Sequence, residues 1–180
     1  NDLLDVTRIE EGKYLFKPAL AEIEPIVKFV VNSCQEEVKR RNIILEFNSL
    51  KKGMPKVMVD VEKIRIVIQN LIDNAIKYTP KGGRVTISSN YDKKELEVSV
   101  KDTGAGIPED QKERIFSKFF RGSNIIKVQT DGSGLGLFIA KNIIEAHGGK
   151  IWFESEEGQG TTFHFSLPVK EEFSEFLKEF

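Results

Sequence analysis

Pairs of short strands, set between amphipathic helices, restrict the fold of this chain more than any other feature. Apolar and polar residues alternate within the strands, which suits a sheet with one solvated face. The predicted pairs are residues 43–47 with 56–59, residues 85–87 with 96–100, and residues 150–155 with 161–167. This order predicts an α+β fold: a two-layer α/β sandwich in which one mixed, mainly antiparallel sheet carries its helices on one face. A doubly wound parallel fold is disfavoured.

Amphipathic stripes with a period of 3.6 residues predict the helices of the second layer. Residues 22–41 are expected to form one helix, with Cys34 packed as a core thiol because no basic neighbour would activate it. Asp60 can cap a second helix, which ends before the turn-forming residues 79–83. A third helix is expected to begin near Gly136.

Composition excludes several classes of protein. The 180 residues include 27 Lys and Arg against 28 Asp and Glu, and this balance gives no reason to expect a nucleic-acid partner. No segment approaches the run of about 18 apolar residues that a membrane span needs, and the charged first residues do not resemble a secretory signal. A single cysteine fits a reducing compartment. We therefore expect a cytoplasmic domain without direct membrane contact.

Polar residues of the second predicted helix share one narrow sector. Asn70, Asn74 and Lys77 are spaced i, i+4 and i+7, which places them side by side at the border of the apolar stripe. An amide oxygen can complete the shell of a hydrated Mg²⁺, and an ammonium group can neutralise phosphate. For this helix alone, a solvated helix edge is the favoured interpretation.

Two glycine-rich segments add further candidates. DTGAGIP places Asp102 at a strand end before glycines that let backbone approach a ligand, and a buried carboxylate there could accept from an exocyclic amine. DGSGLGL offers free N–H groups and the positive end of a helix to an anion. Neither segment is specific alone, since turns use the same residues. The P-loop pattern is absent, and the setting is not a dinucleotide-binding βαβ unit.

The succession of these segments resembles the ATP-binding catalytic domain of bacterial sensor histidine kinases, within the superfamily that includes DNA gyrase B and mismatch-repair ATPases. The matching segments are VIQNLIDNAIKYTPKGG, DTGAGIP, IFSKFFRG, DGSGLGLFIAKNIIEAHGGKIWFES and EGQGTTFHFSLP. They cover roughly residues 20–168, and together they are highly specific. The resemblance implies the Bergerat-type ATP-binding fold, with ATP and Mg²⁺ as ligands.

The resemblance also implies roles for individual residues. Asn74 would coordinate Mg²⁺, supported by Asn70, while Lys77 and Tyr78 would contact phosphate. Asp102 would bind the adenine amino group, with Thr161 helping through a water, and Arg121 would stabilise charge on the γ-phosphate. The residues expected to shape the base pocket are Gly104, Gly106 and Ile107. Those expected to hold the phosphates below a flexible lid, in residues 122–133, are Gly132, Gly134, Leu135 and Gly136. Phe116, Phe119 and Phe120 would anchor that lid or serve as core aromatics.

Two positions bear on the reaction. The hydrolytic relatives carry a glutamate four residues before the magnesium-binding asparagine, and here that position is Asn70. The resemblance therefore implies phosphoryl transfer with little hydrolysis, and Asn70, Lys77 and Arg121 are the expected catalytic residues. The acceptor is missing, because His147 and His164 both lack the H-E-x-x-[TP] setting. A helix C-cap explains His147, and strand alternation turns His164 away from the core.

The chain is expected to divide into three parts. Residues 1–18 would be the end of a dimerisation-domain helix and a linker, residues 19–168 the catalytic domain, and residues 169–180 an amphipathic tail helix. The tail is too short to persist alone, so it should dock, either on its own domain or on a sensor or dimerisation helix.

The implied function is transfer of the γ-phosphoryl group of Mg-ATP to a histidine of the dimerisation domain, and later to a response regulator. The parent receptor would be a homodimer that could be anchored in the bacterial inner membrane. This chain alone would be monomeric. Two alternatives stay open: a stand-alone serine kinase of the anti-sigma type, and a nucleotide-binding module that never transfers phosphate. The helical start, LLDVTRIEEGK, argues against the first, and the intact set of site residues argues against the second.

Overall fold

The computed structural model describes residues 2–10, 15–49, 53–92, 94–121 and 133–169. The α-helices are α1 (Asp2–Glu10), α2 (Ile23–Ser33), α3 (Gln35–Arg41), α4 (Val61–Tyr78) and α5 (Gly136–Ala146), and a 3₁₀ helix spans Glu109–Arg114. The strands are β1 (Ala19–Ala21), β2 (Ile44–Ser49), β3 (Val57–Val59), β4 (Arg84–Tyr91), β5 (Glu95–Asp102), β6 (Lys150–Glu156) and β7 (Gly160–Pro168). Within the described ranges, no helix combines the length and apolar character that crossing a bilayer requires.

The main sheet is mixed and mainly antiparallel, as predicted. Its five strands lie in the order β2-β4-β5-β7-β6, and β2 alone pairs in parallel, with β4. The predicted pairing of residues 43–47 with residues 56–59 is wrong, because β2 pairs in parallel with β4. Strand β3 instead pairs with β1 in a separate antiparallel ribbon, outside the main sheet. The α+β sandwich with helices on one face is confirmed.

The alternation in β5 fixes the location of a charged group. Leu96, Val98 and Val100 point into the core between sheet and helices, and all three are fully buried. Asp102 is the next inward position of the same strand, so its carboxylate lies on the helix side of the sheet and is only 5% exposed. The apolar faces of α2, α4 and α5 complete this core.

The single helix predicted over residues 22–41 is wrong in one respect, because the structure divides it into α2 and α3 at Cys34. Side chains beside the break bond to the carbonyls of the preceding turn: Ser33 Oγ donates to Val30 O at 2.7 Å, and Gln35 Nε2 donates to Val31 O at 3.1 Å. Such bonds compete with the helical ladder. Cys34 itself is buried as predicted, and burial raises the pKa of its thiol.

The segment that precedes the sandwich is attached to it through His147, the C-cap of α5. Its Nε2 accepts the Asp60 N–H at 3.0 Å, so the ring proton lies on Nδ1, which contacts Ile143 O at 2.7 Å. Phe16 packs edge-on against the imidazole, and Lys17 N donates to Asp60 Oδ2 at 2.8 Å. A helix end is therefore the structural setting of His147, as predicted, and its ring also joins two helices to the linker.

Helix α1 lies against α5, with Val6 buried in the common core. His164 lies on the opposite, outer face of the sheet, as predicted, where its ring stacks on Trp152 and its Nδ1 contacts Glu97 Oε1 at 2.8 Å. The predicted helix stop at Gly12 and the tail from residue 170 onward lie outside the described residues.

Candidate functional site

Asp102 forms the floor of the site at the end of β5. Its Oδ1 accepts two backbone N–H groups, from Gly104 at 2.8 Å and from Thr161 at 3.2 Å. Burial raises the pKa of this carboxyl group, and the two N–H donors partly offset that effect. Both bonds end on Oδ1, and no described residue donates to Oδ2, which can therefore accept a hydrogen bond from a ligand.

The glycines after Asp102 let three backbone segments meet. A methyl group on Gly104 would lie 2.5 Å from Tyr78 O and 2.7 Å from Asp102 Oδ1, so the turn touches the end of α4 directly. Gly106 has a φ of +69° and faces the Glu156 carbonyl so closely that a side chain would overlap it. Neither position therefore has room for a side chain, and the prediction that these glycines shape a base pocket stays a prediction.

A hydroxyl that the sequence analysis missed lies beside this turn. Ser155 Oγ accepts the Ile107 N–H at 2.8 Å, contacts Gly160 O at 3.0 Å and contacts Thr161 Oγ1 at 2.8 Å. Ser155 and Thr161 are register partners across β6 and β7, which explains their approach. The sequence shows Ser155 only as a serine near the end of a strand. The strand register is needed to distinguish it from a serine that faces solvent.

The asparagine pair of α4 is used unequally. Asn70 Nδ2 donates to Gly136 O at 3.1 Å, and a methyl group on Gly136 would lie 3.1 Å from Asn70 Oδ1, so this amide holds the start of α5 against α4. Asn74, one turn further along, is half-buried, and its side chain has no hydrogen-bond partner within the described part of the chain. Its amide oxygen is therefore the one placed to bind something else.

Positive charge collects at the end of α4. The ammonium group of Lys77 lies 5.4 Å from the centre of the Tyr78 ring. Burial raises the pKa of the Tyr78 hydroxyl, and the nearby Arg121 guanidinium lowers it in part. The structure thus places both Lys77 and Arg121 near Tyr78.

The glycine-rich start of α5 touches the aromatic segment before the loop. Gly134 has a φ of +71°, and a methyl group there would lie 2.8 Å from the Phe119 carbonyl carbon. Leu135 is 2% exposed and so belongs to the core; its N–H faces Ser133 Oγ at 3.3 Å. Only its backbone could contact a phosphate. Gly132, with residues 122–131 of the predicted lid, lies outside the described residues.

The three phenylalanines of the aromatic segment have different surroundings. Phe116 is partly buried and packs against the core, with ring centroids 5.9 Å from Phe153 and 6.4 Å from Phe163. Phe120 lies under the Arg114 guanidinium, 5.1 Å from the ring centre. Phe119 is 61% exposed and has a left-handed backbone, with φ of 58°. The core interpretation therefore applies to Phe116 and not to Phe119.

These contacts define one site with two ends. The buried end comprises Asp102, Gly104, Gly106, Ile107 and Thr161; the open end comprises Asn74, Lys77, Tyr78, Arg121 and the start of α5. The buried end presents hydrogen-bond acceptors, and the open end presents cations, an amide and the positive end of a helix. A ligand with an amino-bearing ring and an anionic tail matches both. The Asn70 side chain lies between α4 and α5. Because it is an amide, it cannot act as a general base.

The chain matches the family model described as histidine kinase-, DNA gyrase B-, and HSP90-like ATPase over residues 59–171. It is 38% identical to the sensor histidine kinase WalK of Bacillus subtilis over 174 residues, which are 96% of this chain and 28% of WalK. It is 45% identical to the adaptive-response sensory kinase SasA of Crocosphaera subtropica over 152 residues, 78% of this chain and 38% of SasA. The chain thus spans less than half the length of these relatives.

Solved structures give the same result. The nucleotide-free catalytic domain of the histidine kinase ThkA superposes with a TM-score of 0.74 at 35% identity, covering 85% of this chain and 96% of that domain. Full-length ShkA in complex with AMPPNP gives 0.81 at 30% identity, covering 93% of this chain and 34% of ShkA. ThkA in complex with the response regulator TrrA gives a TM-score of 0.75 at 31% identity, covering 93% of this chain and 47% of that chain.

Proposed function

The chain belongs to the family of histidine kinase-, DNA gyrase B-, and HSP90-like ATPases, and we propose that it acts as the catalytic domain of a sensor histidine kinase. In this proposal it binds Mg-ATP and transfers the γ-phosphoryl group to a histidine on a dimerisation domain. The observation that carries the proposal is the polarity of the site: a buried carboxylate at one end, and cations with a helix start at the other.

The buried end would bind adenine. Asp102 Oδ2 would accept a hydrogen bond from the exocyclic amino group, while Oδ1 stays held by the N–H groups of Gly104 and Thr161. Thr161 would contribute through a water. A carboxylate that is already fixed by two donors needs no reorganisation when the base enters, and this makes recognition of the amino group stronger.

The open end would hold the phosphates and stabilise charge. Lys77, Tyr78 and the N–H groups near Gly134 and Gly136 would contact phosphate oxygens, and Arg121 would stabilise the γ-phosphoryl group during transfer. An unprotonated ring nitrogen of the acceptor histidine would attack the γ-phosphorus. The bond from that phosphorus to the β–γ bridging oxygen breaks, ADP leaves with the electron pair, and the phosphorylated ring releases its other N–H proton to water.

Asn74 fits a magnesium ligand by the chemistry of its donor. Its half-buried amide oxygen has no hydrogen-bond partner among the described residues, and Mg²⁺ takes oxygen ligands while keeping several waters and binding phosphates. When bound, Mg²⁺ would neutralise charge on the phosphate oxygens. One amide oxygen is too few ligands for an independent site, so we expect metal binding to depend on the nucleotide.

Two partners, a dimeric state and a location complete the proposal. The family relatives support a dimerisation domain as the phosphate acceptor, and the complex of ThkA with TrrA supports a response regulator as its next recipient. We propose that the full-length protein is a homodimer whose catalytic domain lies in the cytoplasm, where ATP is available. In this proposal residues 1–18 connect the two domains.

The test is phosphorylation in trans. A separately produced dimerisation domain, taken from the full-length protein and mixed with this chain and γ-labelled ATP, should become labelled on its histidine. The label should be acid-labile, should disappear when that histidine is replaced by glutamine, and should fall with Arg121→Ala. Label on serine would favour the anti-sigma type of kinase. Nucleotide binding without any label on the acceptor would favour a binding module and contradict the proposal.

A further inference from the structure

The Ser155 hydroxyl is completely used by protein groups, and their chemistry fixes the direction of every bond. The Ile107 amide at 2.8 Å can only donate, and the Gly160 carbonyl at 3.0 Å can only accept. The single Ser155 proton therefore goes to Gly160 O, and one lone pair takes the Ile107 N–H. The remaining lone pair faces Thr161 Oγ1 at 2.8 Å, so Thr161 must be the donor of that bond.

This direction determines what Thr161 can offer a ligand. Because its one proton is directed at Ser155, only lone pairs of Oγ1 are left on the other side. The Thr161 backbone N–H is also used, since it donates to Asp102 Oδ1 at 3.2 Å. Thr161 and Asp102 are 6% and 5% exposed, so water cannot readily replace these bonds. The polar side-chain atoms of the buried end are then all acceptors.

We propose that Ser155 is a positioning residue that makes the buried end select a 6-amino purine over a 6-oxo purine. An amino group donates to acceptors on both residues, directly or through water, whereas a 6-oxo group would bring a third acceptor against them. Such a mismatch leaves buried polar atoms without partners, which is the costly case. The inference rests on the proposed function, because it assumes that the purine ring enters at Asp102.

The test compares binding of ADP and IDP, which differ at the 6-position and carry no γ-phosphoryl group to lose. Isothermal titration with Mg²⁺ should show wild-type chain preferring ADP. In Ser155→Ala the Thr161 hydroxyl is free to turn and donate to a 6-oxo group. We expect the ratio of ADP to IDP affinity to fall roughly five- to tenfold, the change that one neutral hydrogen bond corresponds to.

Two control variants separate positioning from mere structural support. Ser155→Thr keeps the hydroxyl and should keep the wild-type ratio. In a Thr161→Val background, Ser155→Ala should leave the ratio unchanged, because the residue through which it acts is gone. A purely structural role would lower the affinities for ADP and IDP by the same factor, or only the melting temperature, and would overturn the proposal.

Two negative outcomes remain distinguishable. If wild-type chain binds neither nucleotide, the proposed function fails and this inference fails with it. If wild-type chain prefers ADP, and Ser155→Ala keeps that preference, the inference alone is wrong and the proposed function stands.

Discussion

The two ends of the site differ in how far the protein satisfies its own polar groups. At the buried end, Asp102 and Thr161 are almost inaccessible, and their bonds run to backbone or to Ser155. At the open end, Asn74 is half-buried and has no hydrogen-bond partner among the described residues. The hydrogen bonds of the buried end are therefore formed without a ligand, whereas the open end keeps an amide that no described residue uses.

Changes at the tightly packed buried end should have the largest effects on stability. Gly158, in the β6–β7 turn, and Gly160, the first residue of β7, both have positive φ. A side chain would meet nothing within 4 Å at Gly158 but would overlap the Asp102 carbonyl at Gly160. We expect Gly160→Ala to lose about 3 kcal/mol or more in the free energy of unfolding, from strain plus overlap. Gly158→Ala should lose only about 1 kcal/mol.

Urea denaturation of both variants measures this difference, and ADP titration should show a defect for Gly160→Ala alone. Equal losses of stability in the two variants would contradict the close packing described for the buried end.

Variants of Asn70 and Asn74 should separate effects on stability from effects on ligand binding at the open end. Asn70→Ala removes the bond to Gly136 O and should lower stability by about 1 kcal/mol. Asn74→Ala removes no bond to a described residue, so stability should be unchanged. In Asn74→Ala, Mg²⁺ should no longer strengthen ADP binding, so the affinity measured with Mg²⁺ should fall about tenfold or more. Thermal unfolding with titrations in Mg²⁺ and in chelator measures both effects, and the reverse assignment would contradict the account.

The buried carboxylate should make stability and binding respond oppositely to pH. Burial raises the pKa of Asp102, so the folded state holds this proton more tightly than the unfolded state does. Its contribution to stability is therefore full below the ordinary pKa of aspartate and is lost as pH rises through the folded pKa. ADP affinity should increase over the same window, since the ionised carboxylate is the better acceptor.

Asp102→Asn provides the control for this pH dependence. The variant should lack both changes, and at neutral pH it should be at least as stable as wild type while binding ADP less well. A parallel pH response of stability and affinity in the wild type would show that another group is responsible.

The smallest expected effect concerns the backbone of Phe119, which is 61% exposed in a left-handed conformation. Phe119→Ala removes the ring but keeps the steric cost of a positive φ. Phe119→Gly removes both the ring and that cost. The glycine variant should be the more stable of the two by about 1 kcal/mol, the reverse of their order in a helix. Chemical denaturation of the pair tests this, and a more stable alanine variant would contradict the left-handed assignment.

Much of the fold could be predicted because it depends on the helical period and on the strand alternation of the apolar residues. The inward positions of β5 and the stripe of α4 are periodic in the sequence, and both confirm the predicted layers. The break at Cys34 could not be predicted, because it depends on which carbonyls Ser33 and Gln35 reach. The ribbon of β1 and β3 was missed because β1 has only three residues, too few for alternation to be recognised.

The candidate site shows the same division. The asparagines and glycines of the site belong to segments with a recognisable order. In the structure Gly104 lies against Tyr78 and Gly136 lies against Asn70, both on α4. Ser155 has no such pattern, since its role depends on register with Thr161 and on two backbone groups from other segments. The unequal use of Asn70 and Asn74 likewise depends on where α5 begins relative to α4. Long-range contacts of this kind are not encoded in local spacing.

The central claim is that Asp102 binds the adenine of a magnesium nucleotide. Its most direct test is calorimetric titration of a non-hydrolysable ATP analogue, with and without Mg²⁺, on wild-type chain and Asp102→Asn. The account predicts binding that Mg²⁺ strengthens, and a loss of about tenfold or more in the variant, since a charge-assisted hydrogen bond is removed while the fold persists. Equal affinity of the variant and the wild type, or no binding to a folded wild-type chain, would contradict it.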